Sequence, residues 1–245
     1  MHLELKNISG HMKKLGLGAL SHAVWHALYD NGGDDKWSEL SVLQAAHAAE
    51  ILIKARIVQE HPLLIFVNLP LEKKSTNELL NLRQLLKDGK TIEYSNLPNL
   101  LWASTGIKTP NLKIYEDFGK LRNMIQHFSS PDVGTDCTQK TIEFIFSVID
   151  PLINKFWGLY AVDFIDGDVS YNELMNKLLE RNIDFLVSEE AALRFDSASV
   201  NWSSFEQNYQ IEMQKRIDYA IDKSTPKQKL DALNEKKHLE KILTR

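Results

Sequence analysis

Residues 112–128 read LKIYEDFGKLRNMIQHF, and the fold prediction starts from this stretch. Placed at 100° per residue, its apolar side chains fall on one stripe: Ile114, Phe118, Leu121, Ile125 and Phe128, with Met124 extending it. The opposite arc holds Tyr115, Gly119, Arg122, Asn123, Gln126 and His127. The spacing predicts an amphipathic helix from Leu112 to Phe128, and the sequence Ser129-Ser130-Pro131 predicts its end.

Similar helical spacing covers most of the chain, whereas alternating β-branched runs are scarce. We predict further helices over residues 18–30, 38–60, 71–87, 97–104 and 137–163, with Ser75 and Thr76 as caps of the third and a kink at Pro151 in the last. A charged tail from 203 to 245 is broken at Thr225-Pro226. The fold class is therefore predicted to be all-α, with a helical domain over residues 1–165 and a helical extension over residues 166–245.

The composition excludes several classes of protein. The chain has 245 residues, a net charge of −4, 43% hydrophobic residues and one cysteine, Cys137, which rules out an internal disulfide. No apolar run is long enough to cross a bilayer, and we expect no signal peptide at residues 1–6. These features favour a cytoplasmic protein without a membrane partner. Any contact with nucleic acid must come from a local patch, since the overall charge is slightly acidic.

Other chemical signals are weak. His22 and His26 share a helix face, but no third ligand lies close in the sequence, so a packing surface is favoured over a metal site. Cys137 opens a helix without a neighbouring base, which favours a buried thiol over a nucleophile. The run Gly16-Leu17-Gly18 follows no strand and is discarded as a dinucleotide motif. We therefore predict neither a metal nor a cofactor.

The polar arc of residues 112–128 is the candidate site. Arg122 and His127 lie about 140° apart around the helix and about 7.5 Å apart along its axis. Gly119, one turn before Arg122, costs roughly 1 kcal/mol of helix stability against alanine, which suggests the close approach of another backbone or a ligand. From geometry alone, an ordinary solvated helix face is the better explanation of the arc.

A family resemblance favours function. The segment Arg122-Asn123-Met124-Ile125-Gln126-His127 resembles the Arg-x4-His motif of HEPN-domain proteins, with a polar residue after the arginine. Residues 47–56 (HAAEILIKAR), residues 59–66 (QEHPLLIF) and the approach segment 91–94 (TIEY) are similar to the region before that motif in a group of bacterial HEPN proteins. The resemblance covers about residues 40–128.

The resemblance implies an antiparallel helical bundle that dimerises through its motif helices. It also implies metal-independent endoribonuclease activity, often in a toxin or an anti-phage effector. Arg122 would bind the scissile phosphate, and His127 would move the proton of the ribose 2′-OH or of the leaving 5′-oxygen. The implied partners are an RNA substrate, a second copy of the chain and an antitoxin or defence-system protein.

The candidate supporting residues are Glu50, Lys54, Asn123 and Gln126. Asn123 and Gln126 flank the motif pair, and Glu50 on the preceding helix matches an acidic position found in some HEPN ribonucleases. Glu50 could orient Arg122 or assist His127. A surface pair between Glu50 and Lys54, four residues apart, is an equally good interpretation.

Two alternative functions stay open at this level. One is a non-catalytic HEPN-like module that binds nucleotide, RNA or a partner protein through the same polar face. The other is a helical scaffold in which the motif is coincidental. The tail after Glu212 is modestly basic, which fits contact with RNA phosphate. A solvated amphipathic helix, or one that docks on a partner, fits it at least as well.

Overall fold

The computed structural model describes residues 3–29, 35–71, 80–128, 136–165 and 169–243. The described elements are helices except for one two-stranded sheet, so the predicted all-α class is confirmed. The chain divides into two compact units, residues 1–148 and 149–245, and the boundary lies earlier than the predicted 165/166. None of the helices in the described ranges combines the length and the apolarity needed to cross a bilayer.

The first unit contains six helices and two short strands within its described ranges: α1 (Leu3–Leu28), α2 (Asp35–Glu60), β1 (Phe66–Asn68), α3 (Leu82–Asp88), β2 (Lys90–Thr91), α4 (Leu97–Thr105), α5 (Leu112–His127) and α6 (Cys137–Phe144). The strands pair antiparallel, with Phe66 opposite Thr91. A 3₁₀ turn, Tyr94–Asn96, leads from the sheet into α4.

The helices α1 and α2 form an antiparallel pair. Near the connection, His26 stacks on Trp37 with ring centroids 4.7 Å apart. Further along, Gly16 of α1 lies so close to Leu52 of α2 that an added Cβ would be 2.7 Å from its side chain. The glycine therefore permits a tight contact between the two helices. His26 takes part in packing, which is the role that the sequence analysis favours for it over metal binding.

The helix α2 lies at the centre of the first unit and packs against α1, α4, α5 and α6. Its inward residues are largely alanines, and Ala45, Ala46, Ala48 and Ala49 are completely buried. Because alanine side chains are short, neighbouring helices approach the α2 backbone closely. This packing brings the polar edge of α2, which carries Glu50 and Lys54, beside α5.

Two predicted helix starts are wrong. Helix α1 starts at Leu3 rather than at about residue 18, because Leu5 and Gly16 are buried and hold this part of the chain helical. Helix α3 starts at Leu82, where Asn81 caps it by accepting from the Gln84 N–H, and not at Leu71. The predicted caps Ser75 and Thr76 lie outside the described residues.

The predicted helix over residues 137–163 is divided. Helix α6 ends at Phe144, a π-helical segment follows at Ile145–Ile149, and α7 (Asp150–Trp157) begins with Pro151 in its first turn. Proline lacks the N–H that a continuous helix needs, so an irregular turn before it is expected. Gly158, in the left-handed region at φ 67°, ends α7.

Within its described residues, the second unit continues after α7 with four α-helices: α8 (Tyr171–Glu180), α9 (Glu189–Arg194), α10 (Gln207–Lys223) and α11 (Pro226–Leu243). The predicted break at Thr225-Pro226 separates α10 from α11. Asp150, at the start of α7, is completely buried, and its two carboxylate oxygens accept hydrogen bonds from the Ala161 and Leu186 N–H groups at 2.8 and 2.9 Å. This carboxylate holds two loops of the unit in place.

Candidate functional site

A cleft of about 670 Å³ opens in the first unit between the polar edge of α2, the segment from β2 to the 3₁₀ turn, and α5. Its lining includes Glu50, Thr91, Tyr94, Arg122 and Asn123. The cleft is not a basic groove, because Glu50, Glu93 and Glu116 contribute three carboxylates against the cations of Lys120 and Arg122. Binding of an anion here would depend on individual contacts rather than on a general positive field.

Three charged groups form a linked cluster at the cleft. The Glu50 carboxylate lies between two cations: Oε1 is 2.7 Å from Lys54 Nζ, and Oε2 is 3.5 Å from Arg122 Nη2. The Lys54, Glu50 and Arg122 side chains are only 6%, 23% and 22% exposed, so solvent screens these contacts less than on an open surface. Both sequence interpretations of Glu50 therefore hold geometrically, since it pairs with Lys54 and also reaches the motif arginine.

Arg122 is also held by its own helix. Its Nη1 donates to Asn123 Oδ1 at 3.0 Å and to Gln126 Oε1 at 3.1 Å. These two acceptors take two of the five N–H groups of the guanidinium, and Nη2 forms an ion pair with Glu50. Within the described part of the chain, Nε–H and Nη2 are then the donors for a bidentate contact with an incoming phosphate.

An aromatic pair lies under the arginine. The Tyr94 and Tyr115 rings stack with centroids 4.3 Å apart and planes 3° apart, and the Arg122 guanidinium carbon lies 5.3 Å from the Tyr94 centroid. The Tyr115 hydroxyl donates to the Tyr94 carbonyl at 2.8 Å, and the Tyr94 hydroxyl donates to the Tyr115 carbonyl at 3.4 Å. Burial raises the pKa of both phenols, so both keep the protons that these bonds need.

The predicted polar arc of α5 needs a correction. Tyr115 and Gly119 are buried, because the Tyr94 ring covers this face of the helix. An added Cβ on Gly119 would lie 2.7 Å from Tyr94 Cε1. A glycine is therefore needed at this position because the Tyr94 side chain approaches the helix so closely. Arg122, Asn123, Gln126 and His127 remain at least partly exposed, as the arc predicts.

His127 stands apart from this cluster. It is the last residue of α5, and its side chain is exposed. It is not among the described residues that line the cleft. Beside it, Phe128 is 90% exposed and Met124 is 39% exposed, so the predicted apolar stripe leaves the core at the end of the helix. The structure thus brings together Glu50, Lys54, Asn123, Gln126 and Arg122, and it leaves His127 at an apolar, exposed rim.

Sequence reasoning missed Tyr94 and Thr91 as parts of the site. Thr91 Oγ1 lies 3.5 Å from Lys54 Nζ, and Tyr94 contacts the motif arginine directly. A signal for Tyr94 was present in the sequence, since Gly119 indicates that something approaches α5 one turn before Arg122. The sequence could not say which residue did so.

Among the described residues, no group of three or more histidine, cysteine or acidic side chains is arranged to hold a metal ion. Comparisons with protein-family models, with curated proteins and with solved structures find no match for this chain. A functional interpretation therefore depends on the geometry of the cleft and on the residues of α5.

Proposed function

We propose that this protein is a metal-independent endoribonuclease of the HEPN type, acting in the cytoplasm as a toxin or an anti-phage effector. The observation that carries the proposal is the contact between Glu50 Oε2 and Arg122 Nη2 at 3.5 Å. These residues lie far apart in the sequence and on different helices, and the resemblance predicts that they meet in the active site. A coincidental motif on a surface helix requires no such contact.

The chemistry follows from the side chains. Arg122 binds the scissile phosphate through its remaining N–H groups and stabilises the charge that develops on the pentacoordinate phosphorus. His127 accepts the proton of the ribose 2′-OH, whose oxygen then attacks phosphorus. The bond from phosphorus to the 5′-oxygen breaks, and this oxygen leaves as a hydroxyl after it receives a proton. The products are a 2′,3′-cyclic phosphate and a 5′-hydroxyl end.

The proposed active form is a two-fold dimer. His127 lies beside the exposed apolar side chains of Met124 and Phe128, and a second copy of the chain would cover them. Such an arrangement brings two motif helices together, so that one histidine acts as base while its symmetry mate donates the proton to the leaving oxygen. An antitoxin or a defence-system partner would control this activity in the cell.

The test is an RNA cleavage assay with the purified full-length chain in EDTA. A pool of random-sequence RNA removes the need to know the target, and the same pool with 2′-deoxyribose serves as the matched control. We expect cleavage of the RNA alone, with 2′,3′-cyclic phosphate ends, because the attacking group is the 2′-OH. RNA binding without cleavage would replace the proposal by a non-catalytic module, and products with 3′-hydroxyl ends would contradict the mechanism.

Glu50→Gln is expected to lower the cleavage rate by roughly 10-fold, because it removes the partly buried ion pair between Glu50 and Arg122. The substitution keeps the shape of the side chain but removes the charge that holds Arg122. The matched control is Glu60→Gln, which neutralises a similar pair with Arg56 on the same helix, also at 2.7 Å, away from the cleft. Equal rates for the two variants would remove Glu50 from the site.

A further inference from the structure

Tyr94 is held against α5 by contacts that fix the orientation of its ring. Its ring stacks on Tyr115 at 4.3 Å, and reciprocal hydrogen bonds between the hydroxyl of each tyrosine and the carbonyl of the other tie the 3₁₀ turn to the helix. Both residues are buried. Stacking together with two directional bonds leaves the ring little freedom to tilt or slide.

Gly119 decides where this ring can lie. With no side chain at this position, the ring edge comes to within 2.7 Å of where a Cβ would be, one turn before Arg122. A glycine inside a helix is less stabilising than alanine, so the helix is weakened at the point where the ring meets it. The ring consequently lies under the guanidinium, with the guanidinium carbon 5.3 Å from the centroid.

We propose that Tyr94 is a positioning residue for Arg122: its ring, fixed by Tyr115 and Gly119, sets the orientation of the guanidinium that binds the scissile phosphate. This inference rests on the proposed ribonuclease function. Glu50, Asn123 and Gln126 hold the guanidinium at its N–H groups, whereas the Tyr94 ring restricts its plane through a cation–π contact. A bidentate phosphate contact needs a defined plane, and the ring supplies it.

The test compares Tyr94→Phe with Tyr94→Met in a steady-state cleavage assay. The phenylalanine keeps the ring and the cation–π contact, so its rate is expected to stay within about threefold of the original protein. The methionine fills the space without a ring, and kcat is expected to fall roughly 10- to 100-fold with little change in KM, because misorientation acts on the transition state. The matched control, Tyr219→Met, removes an exposed ring that contacts Lys223 at 4.7 Å and is expected to cleave normally.

A second measurement does not depend on activity. The Nε–H signal of Arg122 in an NMR spectrum, assigned by its loss in Arg122→Lys, should carry a ring-current shift in the original protein and in Tyr94→Phe. This shift should disappear in Tyr94→Met. If the methionine variant does not fold, Gly119→Ala displaces the ring while keeping its chemistry, and Gly18→Ala is the control because its added Cβ meets nothing within 4 Å.

The outcomes separate the two proposals. Cleavage by the original protein together with an unchanged kcat in Tyr94→Met overturns the role of Tyr94 and leaves the ribonuclease function standing. An Arg122 Nε–H signal that is the same in the original protein and in Tyr94→Met overturns the positioning role, whether or not the protein cleaves RNA. Absence of cleavage by the original protein overturns the function itself.

Discussion

Arg122→Ala and His127→Ala are each expected to lower the single-turnover rate of RNA cleavage by roughly 100- to 10,000-fold. The first removes the group that binds the scissile phosphate, and the second removes the base that takes the 2′-OH proton. Neither change should shift the free energy of unfolding by more than about 1 kcal/mol, since both side chains lie off the buried stripe of α5. Cleavage assays, thermal melts and tests of toxicity on expression measure these effects.

Two exposed residues provide matched controls. Arg83→Ala on α3 and His11→Ala on α1 remove the same types of side chain outside the cleft and are expected to leave cleavage unchanged. The position of His127 makes its variant the more informative one, because it lies outside the cleft that contains Arg122. Full loss in Arg122→Ala with normal cleavage in His127→Ala would show that the cleft acts with another base.

Mixing the two inactive variants tests the proposed dimer in the same assay. If Arg122 of one chain acts with the His127 base of its partner, a mixed dimer contains one site with both groups. This site lacks only the second histidine, which protonates the leaving oxygen, so the mixture recovers part of the activity. If both residues act within one chain, the mixture stays inactive, because each chain lacks one of them. Recovery after mixing therefore distinguishes a shared site from a site within a single chain.

The sequence predicted the motif helix well because periodicity reports how one helix divides between core and solvent. Phe118 and Leu121 are buried and Arg122 is partly exposed, as a 100° rotation per residue requires. Periodicity does not report what covers a helix, and so it assigned Tyr115 and Gly119 to the polar face. The Tyr94 ring comes from a turn before α4, and its contact with α5 is set by tertiary packing.

The other differences have similar physical causes. Phe128 belongs to the apolar stripe by rotation, but α5 ends at His127 and the side chain is left exposed. Helix α1 contains Gly10, Gly16 and Gly18, which lower helix propensity, and its packing on α2 outweighs this cost. The resemblance predicted that Glu50 lies close to Arg122. The pairing of Glu50 with Lys54 was given as the alternative, and the structure shows both contacts together.

Asp150→Ala is expected to cause the largest loss of stability of any single substitution considered, roughly 2–5 kcal/mol, because it leaves two backbone N–H groups without an acceptor. These are the N–H groups of Ala161 and Leu186, in two loops of the second unit. The matched control, Asp222→Ala, removes an exposed carboxylate from α10 and is expected to change stability by no more than about 0.5 kcal/mol. Urea unfolding monitored by circular dichroism measures both, and similar midpoints would contradict the role of Asp150.

The same carboxyl group makes stability depend on pH. Burial raises the pKa of Asp150 from 3.8 to about 7, and the nearby Asp163 adds to the increase, while the two backbone N–H groups and Arg216 oppose it. The folded state therefore holds a proton on Asp150 between about pH 4 and pH 7 that the unfolded state has lost. Its contribution to stability is complete below the unfolded pKa and is lost as the pH rises through about 7, with a slope of up to about 1.4 kcal/mol per pH unit.

Asp150→Asn isolates this effect. The amide does not titrate, so the variant should lose the pH dependence that belongs to Asp150, while other groups such as Asp163 contribute equally to both proteins. The amide also has one acceptor oxygen instead of two, which lowers stability by a similar amount at every pH and leaves the slope unaffected. The measurement is the difference in unfolding free energy between the two proteins from pH 4 to pH 8. A difference that stays constant over this range would mean that Asp150 is ionised in the folded state, and its two hydrogen bonds would then outweigh its burial.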